Sequence, residues 1–545
     1  MIADSTASVT SGRTPPSGAE AATTAWRTAL AWIVGAALVR ALLSSLVPLL
    51  PDETYYWLWT RHLEGGYFDH PPGIALLIRA GTLLFGDSHT GVRAGPALAA
   101  LVTHGAAVMV AWQMAGRGAV GAAAAARAAV LVAVLPLATL GLVLATPDAV
   151  LFATVMLALL ALERALAAPV RSWASLVWWT VTGLCLGASF VAKYTAVLLP
   201  FAMVVACLVH PALRRRFAEV GPWWASALAF ALFAPVILWN FVNEWISFRF
   251  QLGHGFGAPP ARGSVFTREL DLLGGQMGLA SPILFVLLAI AVWCALRDGW
   301  RTRATDTATD VPVRRFALAV MSLVPLGFFA FSATRRAVEA NWPALMYPSA
   351  MLLLATDDRA SLRGPWWRRG VGLAIGLLAV VALQAWRPLL PLPPRRDPMA
   401  RAHGWATLAS AVSHARTDAF LNGTVDRWVA ANRYQDASEL AFHLPDHPPV
   451  FSLNLGGRPN QFDLWPTAFD EVRPGDGLVA VFDDTPAGDS LGTQVGRWFR
   501  EWRRGDAVSL RREDGEVTRR RVWLYRIATD VPPRPRGLPA LSAPR

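Results

Sequence analysis

The sequence predicts a polytopic α-helical membrane protein with a smaller α/β domain at its C-terminal end. Hydrophobic residues make up 54% of the 545 and charged residues only 16%, against roughly 25% charged in soluble domains, and mean hydropathy is +0.37. Apolar runs of bilayer length recur along residues 29 to 388, and the chain then turns polar and alternating after Pro391-Leu392-Pro393-Pro394. A soluble enzyme is excluded on these grounds.

Residues 1–28 are Ser-, Thr-, Ala-, Gly- and Pro-rich and read as a disordered cytoplasmic tail, since no short apolar segment with a small-residue cleavage site comes first. A window of about 20 residues then gives candidate spans near 29–50, 92–113, 118–136, 148–167, 173–191, 195–210, 223–241, 279–297, 316–333, 342–356 and 370–388. The apolar stretch 118–162 is too long for one crossing, and Pro136, Gly141 and Thr146-Pro147-Asp148 mark where it turns. From 389 to 531, helical spacing over 404–415 and 435–443 and strand-like runs at 449–453, 477–482 and 522–526 predict a separate soluble α/β domain. Residues 532–545 form a Pro-rich tail.

Arginine placement sets the expected orientation. With the N-terminus in the cytoplasm, the inside loops carry Arg164, Arg171, Arg214 to Arg216, Arg301, Arg303, Arg314, Arg315, Arg359, Arg363, Arg368 and Arg369, whereas the opposite loops are poorer. The first loop (51–91), the Thr146-Pro147-Asp148 turn, Lys193, the 242–278 loop, the 334–341 loop and the C-terminal domain then share the outer face. The net charge of +12 is a topology signal with added attraction to anionic lipid, and nucleic acid is not an expected partner. Cys185, Cys207 and Cys294 all fall in apolar runs, so no disulfide framework is available outside the membrane. No Walker loop, dinucleotide-binding glycine fingerprint or zinc-knuckle spacing is present.

The densest polar chemistry is Pro51 to Pro72, PDETYYWLWTRHLEGGYFDHPP, directly after the first apolar run. Asp52 and Glu53 should sit where the chain leaves the hydrocarbon, with Tyr55, Tyr56, Trp57 and Trp59 as headgroup-level rings. A second polar block, Asp69-His70-Pro71-Pro72, follows in the same loop. Lys193 is the only lysine among 50 basic residues, and a compact ammonium with three rotatable donors suits a phosphate oxygen where a guanidinium fork does not. Trp245 to Phe256, with Arg249, Gln251 and His254, reads as a loop that wraps a ligand, and Arg335, Arg336, Glu339 and Asn341 offer further contacts.

These motifs carry a resemblance. The order Pro51-Asp52-Glu53, Tyr55-Tyr56-Trp57, Tyr67-Phe68-Asp69-His70-Pro71-Pro72, Thr146-Pro147-Asp148 and Lys193-Tyr194 resembles the bacterial, dolichyl-phosphate-mannose-protein mannosyltransferase-like branch of the GT-C glycosyltransferases, related to the aminoarabinose and galacturonic acid transferases of lipid A. The stretches Ala431 to Gln435 and Ser452 to Arg458 resemble the soluble tail of many such proteins. The resemblance implies a GT-C fold of about eleven transmembrane helices and transfer of a sugar from a polyprenyl-phosphate donor to an acceptor at the outer face of the inner membrane. It implies catalytic roles for Asp52, Glu53 and Asp148, and donor-phosphate contacts from Lys193 and His70; residue chemistry alone adds Arg249 or Arg335 as helpers of Lys193 at the donor phosphate. Asp69-His70 departs from the Glu-Lys pair of the aminoarabinose branch, which puts the phosphate role of His70 in doubt. That branch also holds a metal near the donor phosphate, so Asp69 and His254 are the matching ligands for a divalent Zn, Mg or Mn ion.

Residue chemistry runs the same way. An enzyme whose polar groups face outside takes its sugar from a lipid carrier, because nucleotide sugars are made in the cytoplasm. A carboxylate such as Asp52 can accept the proton of an attacking hydroxyl, and Lys193 can stabilise charge on the departing phosphate. The acceptor is a glycolipid such as lipid A or core, or a secreted protein as in protein O-mannosylation. A flippase of lipid-linked sugars would place its charges in mid-span. A receptor-like binding protein would carry its densest cluster in the soluble domain.

Overall fold

The computed structural model describes residues 17–256, 264–303, 310–394, 397 and 399–529. Every apolar run expected to span coincides with a helix. Among the described residues, eight helical segments are long and apolar enough to cross a membrane: α1 (Gly18–Leu46), α4 (His89–Met114), α7 (Pro147–Ala167), α8 (Trp173–Ala192), α11 (Val220–Val242), α14 (Pro282–Arg301), α15 (Val311–Ala333) and the pair α17 (Ala360–Arg363) and α18 (Pro365–Trp386). Three further apolar helices, α5 (Ala119–Val134), α9 (Leu198–Val209) and α16 (Tyr347–Thr356), are shorter than a full span.

Helix α1 starts at Gly18, ahead of the boundary expected at 29. Ser17 and Glu20 close a capping box there, and the Ala-rich segment behind it is a good helix former. The expected tail boundary is corrected accordingly; residues 1–16 and the Pro-rich 532–545 lie outside the described residues. Pro136 and Pro147 each open a helix at its first turn, α6 (Pro136–Gly141) and α7, and so divide the long apolar run where expected. Large apolar side chains such as Leu30, Leu38, Phe230, Leu238 and Trp293 stand exposed around the bundle, as lipid-facing positions should.

Two short helices build the first loop, α2 (Pro51–Trp59) and α3 (Gly73–Phe85). Gly73 lets α3 start against the end of α8: a Cβ there would meet the Val191 carbonyl oxygen at 2.7 Å. That close approach brings His70 beside Lys193. The segment expected to be a wrapping loop is helical instead, α12 (Ile246–Phe256), after α10 (Pro211–Arg216). The Trp245 amide closes on the Asn240 carbonyl at 2.6 Å, and Glu244 and Trp245 take φ of 55° and 61°, so the turn between α11 and α12 is tight enough to restart the helix. α13 (Val265–Ala280) follows.

The C-terminal domain holds a five-stranded sheet in the order β2-β1-β3-β5-β4. β1 (Arg427–Ala431) lies parallel to β2 (Val450–Ser452) and to β3 (Gly477–Asp483), while β4 (Phe499–Arg512) and β5 (Gly515–Ala528) form a hairpin antiparallel to β3. α19 (Trp405–Arg416) precedes β1, α20 (Tyr434–His443) crosses between β1 and β2, and α21 (Ala468–Glu471) and α22 (Pro486–Gly496) flank β3. One sheet face packs Phe451, Phe482, Trp523 and Tyr525 into its own core. The other, through Val429, Val481 and Leu524, shares a single core with Tyr55, Trp57, Trp59 and Tyr67 of the first loop. The domain expected to be separate is therefore packed onto the loop, because the loop's rings are apolar on a side that no lipid covers.

Candidate active site

Adjacent positions on a helix point in different directions, and α2 uses this to separate its two acids. Glu53 turns inward and is fully buried. It takes a bidentate ion pair from Arg93 (Nε to Oε1 2.8 Å, Nη2 to Oε2 2.5 Å) and accepts from the Leu50 and Ala145 amides at 3.0 and 2.9 Å. Arg93 also donates to the Ser44, Val47 and Pro48 carbonyls. The geometry is that of a strut tying α1, α2, α4 and the 142–146 turn together, and leaves Glu53 no open lone pair toward a ligand cleft.

Asp52 turns the other way, into a cavity of about 500 Å³ between the α2 N-terminus and the C-terminal domain. Asp52 is solvent-exposed toward that cavity, with protein packed closely around it. Burial raises its carboxyl above the ordinary range, with Arg401 opposing and the Asp69 charge adding to the rise. One turn along the same face of α2, Tyr56 faces Asp52, Asp69 and Asp148 and packs edge-on to His70. Burial and these acids keep the phenol protonated.

Lys193 caps the end of α8 and its Nζ lies 2.7 Å from Asp148 Oδ1, both side chains about nine-tenths buried. Asn341 donates to Asp148 Oδ2 at 3.0 Å, so three separate loops meet at one carboxylate. His70 stands beside them with its Nδ1 buried and unpartnered. Burial and the Lys193 charge depress the imidazole to about 4, so it is neutral at pH 7.

Asp69 is spoken for on both oxygens. Tyr55 OH donates to Oδ2 at 2.9 Å, and Arg458 Nη1 donates to Oδ1 at 2.9 Å. Arg458, on the loop after β2, also donates to Tyr434 OH at 2.9 Å and stacks over Phe250 and Tyr434. Nearby, the Gln461 amide donates to Tyr55 OH and its side chain accepts from the Phe68 amide. Gln251 and Ser247 of α12 hold the Asp69 and Tyr67 carbonyls at 2.6 Å each. The 245–256 segment thus supports the first loop.

Of the two expected metal ligands, only the Asp69 side chain lies among the described residues. Asp69 has no free oxygen, the His254 side chain lies outside the described residues, and no group of three His, Cys, Asp or Glu side chains that could hold an ion occurs among the described residues. Arg249 is exposed and turned to Glu244, and Arg335 is exposed over the Phe331 ring; neither touches the Lys193 cluster. Sequence reasoning missed Arg93, Arg401, Tyr434 and Arg458 as site groups. Only the Ala431–Gln435 and Ser452–Arg458 stretches pointed toward the last two.

Comparison with known proteins agrees with this architecture. The family described as dolichyl-phosphate-mannose-protein mannosyltransferase matches residues 69–239, a segment with Asp69, Asp148 and Lys193 but not Asp52. The lipid A galacturonosyltransferase RgtD of Rhizobium johnstonii is 27% identical over 336 residues, and the undecaprenyl phosphate-α-4-amino-4-deoxy-L-arabinose arabinosyl transferase of Pseudomonas aeruginosa is 29% identical over 372. These alignments cover 61% and 62% of this chain, and 64% and 62% of the relatives' own length. The structure of ArnT from Cupriavidus metallidurans bound to undecaprenyl phosphate superposes with a TM-score of 0.57 over 95% of this chain and 99% of that one, at 16% identity. The chain is thus similar to the dolichyl-phosphate-mannose-protein mannosyltransferase family over residues 69–239 and shares the fold of ArnT along its length.

Proposed function

We propose that this multi-pass protein transfers a sugar from a polyprenyl-phosphate carrier to a glycolipid acceptor, lipid A or core, on the periplasmic face of the bacterial inner membrane. The carrying observation is that Asp52, His70, Asp148 and Lys193 converge where the first loop meets the helix bundle, on the face that bears the C-terminal domain. The arginine distribution supports a periplasmic placement of that face and a cytoplasmic N-terminus. The curated relatives named above act on lipid A or on an undecaprenyl-phosphate sugar, which favours a lipid donor and a lipid acceptor.

In this reading the acceptor oxygen attacks the anomeric carbon as the bond from that carbon to the carrier phosphate breaks, and the anomeric centre inverts. Asp52 takes the acceptor's proton; a carboxylate held above its ordinary pKa is a better base than a solvated one. Lys193 meets the charge growing on the leaving phosphate. Asp148 and Asn341 fix the ammonium in place before donor arrives, so little reorganisation is needed at the moment of transfer. His70, neutral at pH 7, offers an N–H or a lone pair and no cation.

A flippase would need a polar path through the bundle. The mid-bundle groups found are tied to backbone instead: Arg40 donates to the Val132 carbonyl at 2.9 Å and His104 Nδ1 lies 2.9 Å from the Ala100 carbonyl. The test is reconstitution of purified protein with undecaprenyl-phosphate-linked aminoarabinose or galacturonic acid and lipid A, followed by mass spectrometry of the lipid. A mass gain of one sugar is expected. No gain on lipid A, with sugar appearing on periplasmic proteins of the wild type but not of a deletion strain, would move the acceptor class to protein.

A further inference from the structure

On the face of α2 turned away from the Asp52 cavity, a carboxyl group is buried without a matching set of donors. Thr54 stands two positions from Asp52, so the two side chains leave the helix on opposite sides. With Trp57 on the same face, it packs on α20, where Trp57 meets Phe442 edge-on at 5.0 Å between ring centroids. Between the two helices lies Glu439, with 0% of its side chain exposed.

Neither Glu439 oxygen accepts a hydrogen bond among the described residues. His443 Nδ1 lies 3.2 Å from Oε2 but 3.0 Å from the Glu439 carbonyl; placed between two oxygens it carries a hydrogen, and that hydrogen goes to the backbone. The Thr54 hydroxyl lies against the carboxyl, yet gives its own proton to the Pro51 carbonyl at 3.1 Å. What α2 presents to Glu439 is therefore a lone pair. A carboxylate meets it with a second acceptor, which costs free energy in a dry contact, whereas a carboxylic acid donates to it. Bonds then run from Glu439 through Thr54 to Pro51, next to Asp52.

The surroundings favour that proton. Burial pushes the Glu439 carboxyl up to about 7, with His443 and Thr54 opposing and the Glu53 charge adding to the rise. Burial also works against a charged His443, but the Glu439 carboxyl outweighs it and holds the imidazole above its ordinary value. Beyond this pair, Glu53 is tied to Arg93, and His89 stands at the start of α4. In the C-terminal domain, Asp436 of α20 is paired with Arg520 and Arg416 of α19 with Asp446. Arg427 of β1 donates to the Arg416 carbonyl, His414 is exposed, and β2 carries no charge. His447, past the end of α20, lies against the Trp57 ring with Nδ1 3.1 Å from the Ala441 carbonyl.

We propose that Glu439 is a positioning residue: in its protonated form it hydrogen-bonds the Thr54 hydroxyl and so fixes the first turn of α2, and with it Asp52, against the C-terminal domain. This rests on the transferase reading, in which Asp52 is the base, and adds what aims that base. When α2 and α20 part, Glu439 and His443 return to ordinary values of 4.5 and 6.5. The joined form holds more protons, so its extra stability is present in mild acid and is lost as pH rises through about 7. Tyr434, at the start of α20, meets Tyr55 at 4.8 Å between ring centroids and accepts from Arg458, so a loosened contact also reaches the Asp69 side of the site.

The test uses full-length protein in nanodiscs with undecaprenyl-phosphate-linked aminoarabinose or galacturonic acid and lipid A. Two quantities are read from about pH 6 to about pH 9, kcat/KM and the protection of the 54–59 amides against hydrogen exchange, corrected for intrinsic exchange rates. Both should fall about 10-fold on the alkaline side in wild type, as for loss of one proton. Glu439→Gln keeps the shape and offers Thr54 an amide N–H at every pH, so both should stay level. His443→Gln removes the imidazole that opposes protonation of Glu439, so the fall should move to higher pH, a direction that a merely structural role does not predict. Level protection in wild type, or the same fall of either quantity in Glu439→Gln, overturns the proposal. Should Glu439→Gln fail to fold, His443→Gln decides, and a midpoint unmoved or lowered overturns it. If protection follows the expected course while wild type transfers no sugar at any pH, the Glu439–Thr54 contact stands and the transferase reading falls.

Discussion

Lys193 Nζ sits 2.7 Å from Asp148 Oδ1, and this pair joins the end of α8 to the first turn of α7. In a chain whose other basic residues are all arginine, the single ammonium is already matched to a single carboxylate. Lys193→Ala should cut kcat/KM about 10²-fold, the usual loss for one pre-organised electrostatic contact, in transfer assays with purified protein. It should also leave Asp148 buried and unpaired, and lower the melting temperature. Lys193→Arg should restore the melt more than the activity, because the planar fork carries the charge in another shape. Full activity in Lys193→Arg would show that charge alone matters.

The Glu53–Arg93 pair should behave differently. Both side chains are almost wholly shielded from solvent, and removing one partner of such a pair costs about 3–5 kcal/mol. Glu53→Ala should therefore show as a lower midpoint in thermal melts and poor yield, while the folded fraction keeps its turnover within a few-fold. A normal melt with turnover reduced 10²-fold or more would return Glu53 to the chemistry.

Arg458 and Asp69 lie 389 residues apart in sequence and 2.9 Å apart in space. Arg458→Ala should loosen the loop that carries His70 and lower kcat/KM about 10-fold, the equivalent of one hydrogen bond to a charged group. The exchange Asp69→Arg with Arg458→Asp should recover part of that loss. No recovery, with each single variant fully active, would make the pair incidental.

Much of this arrangement could be read from the chain, and its limits have physical causes. Span positions follow from hydropathy alone, since a lipid-facing helix must be apolar over its length. Asp52 and Lys193 stood out by placement and by rarity. Glu53 looked like its neighbour because nothing local shows which of two adjacent acids a helix turns inward, and Arg93 lies in the next span. Arg458 and Arg401 were hidden because their partners come from the far end of the chain. The strand Arg427–Ala431 was missed because five residues with a leading arginine carry no clear alternation.

His70 gives a pH test. Its imidazole is depressed to about 4 in the folded state by burial and by Lys193, whereas an unfolded histidine takes up its proton near 6.5. Between those values the unfolded chain binds more protons, so stability should fall as pH drops from about 6.5 toward 4, by on the order of 3 kcal/mol in all. Thermal melts of wild type and His70→Gln across that range check this. The variant should lose that part of the slope; identical slopes would mean that His70 is protonated in the folded protein and available as a cation.

Asp52 carries the most direct test of the chemistry. Burial in the cavity holds its carboxyl above the ordinary carboxylate range, so the basic form needed to accept a proton should be lost as pH falls through that raised value, taking kcat/KM down with it. Asp52→Asn keeps the shape and removes the base. It should lose at least about 10²-fold in turnover, melt normally or slightly higher because a partly desolvated charge has been removed, and show no acidic limb in its residual pH profile. An unchanged acidic limb in Asp52→Asn would assign the proton acceptor to another group, and Asp148, the remaining acid at the Lys193 cluster, would be the next residue to replace.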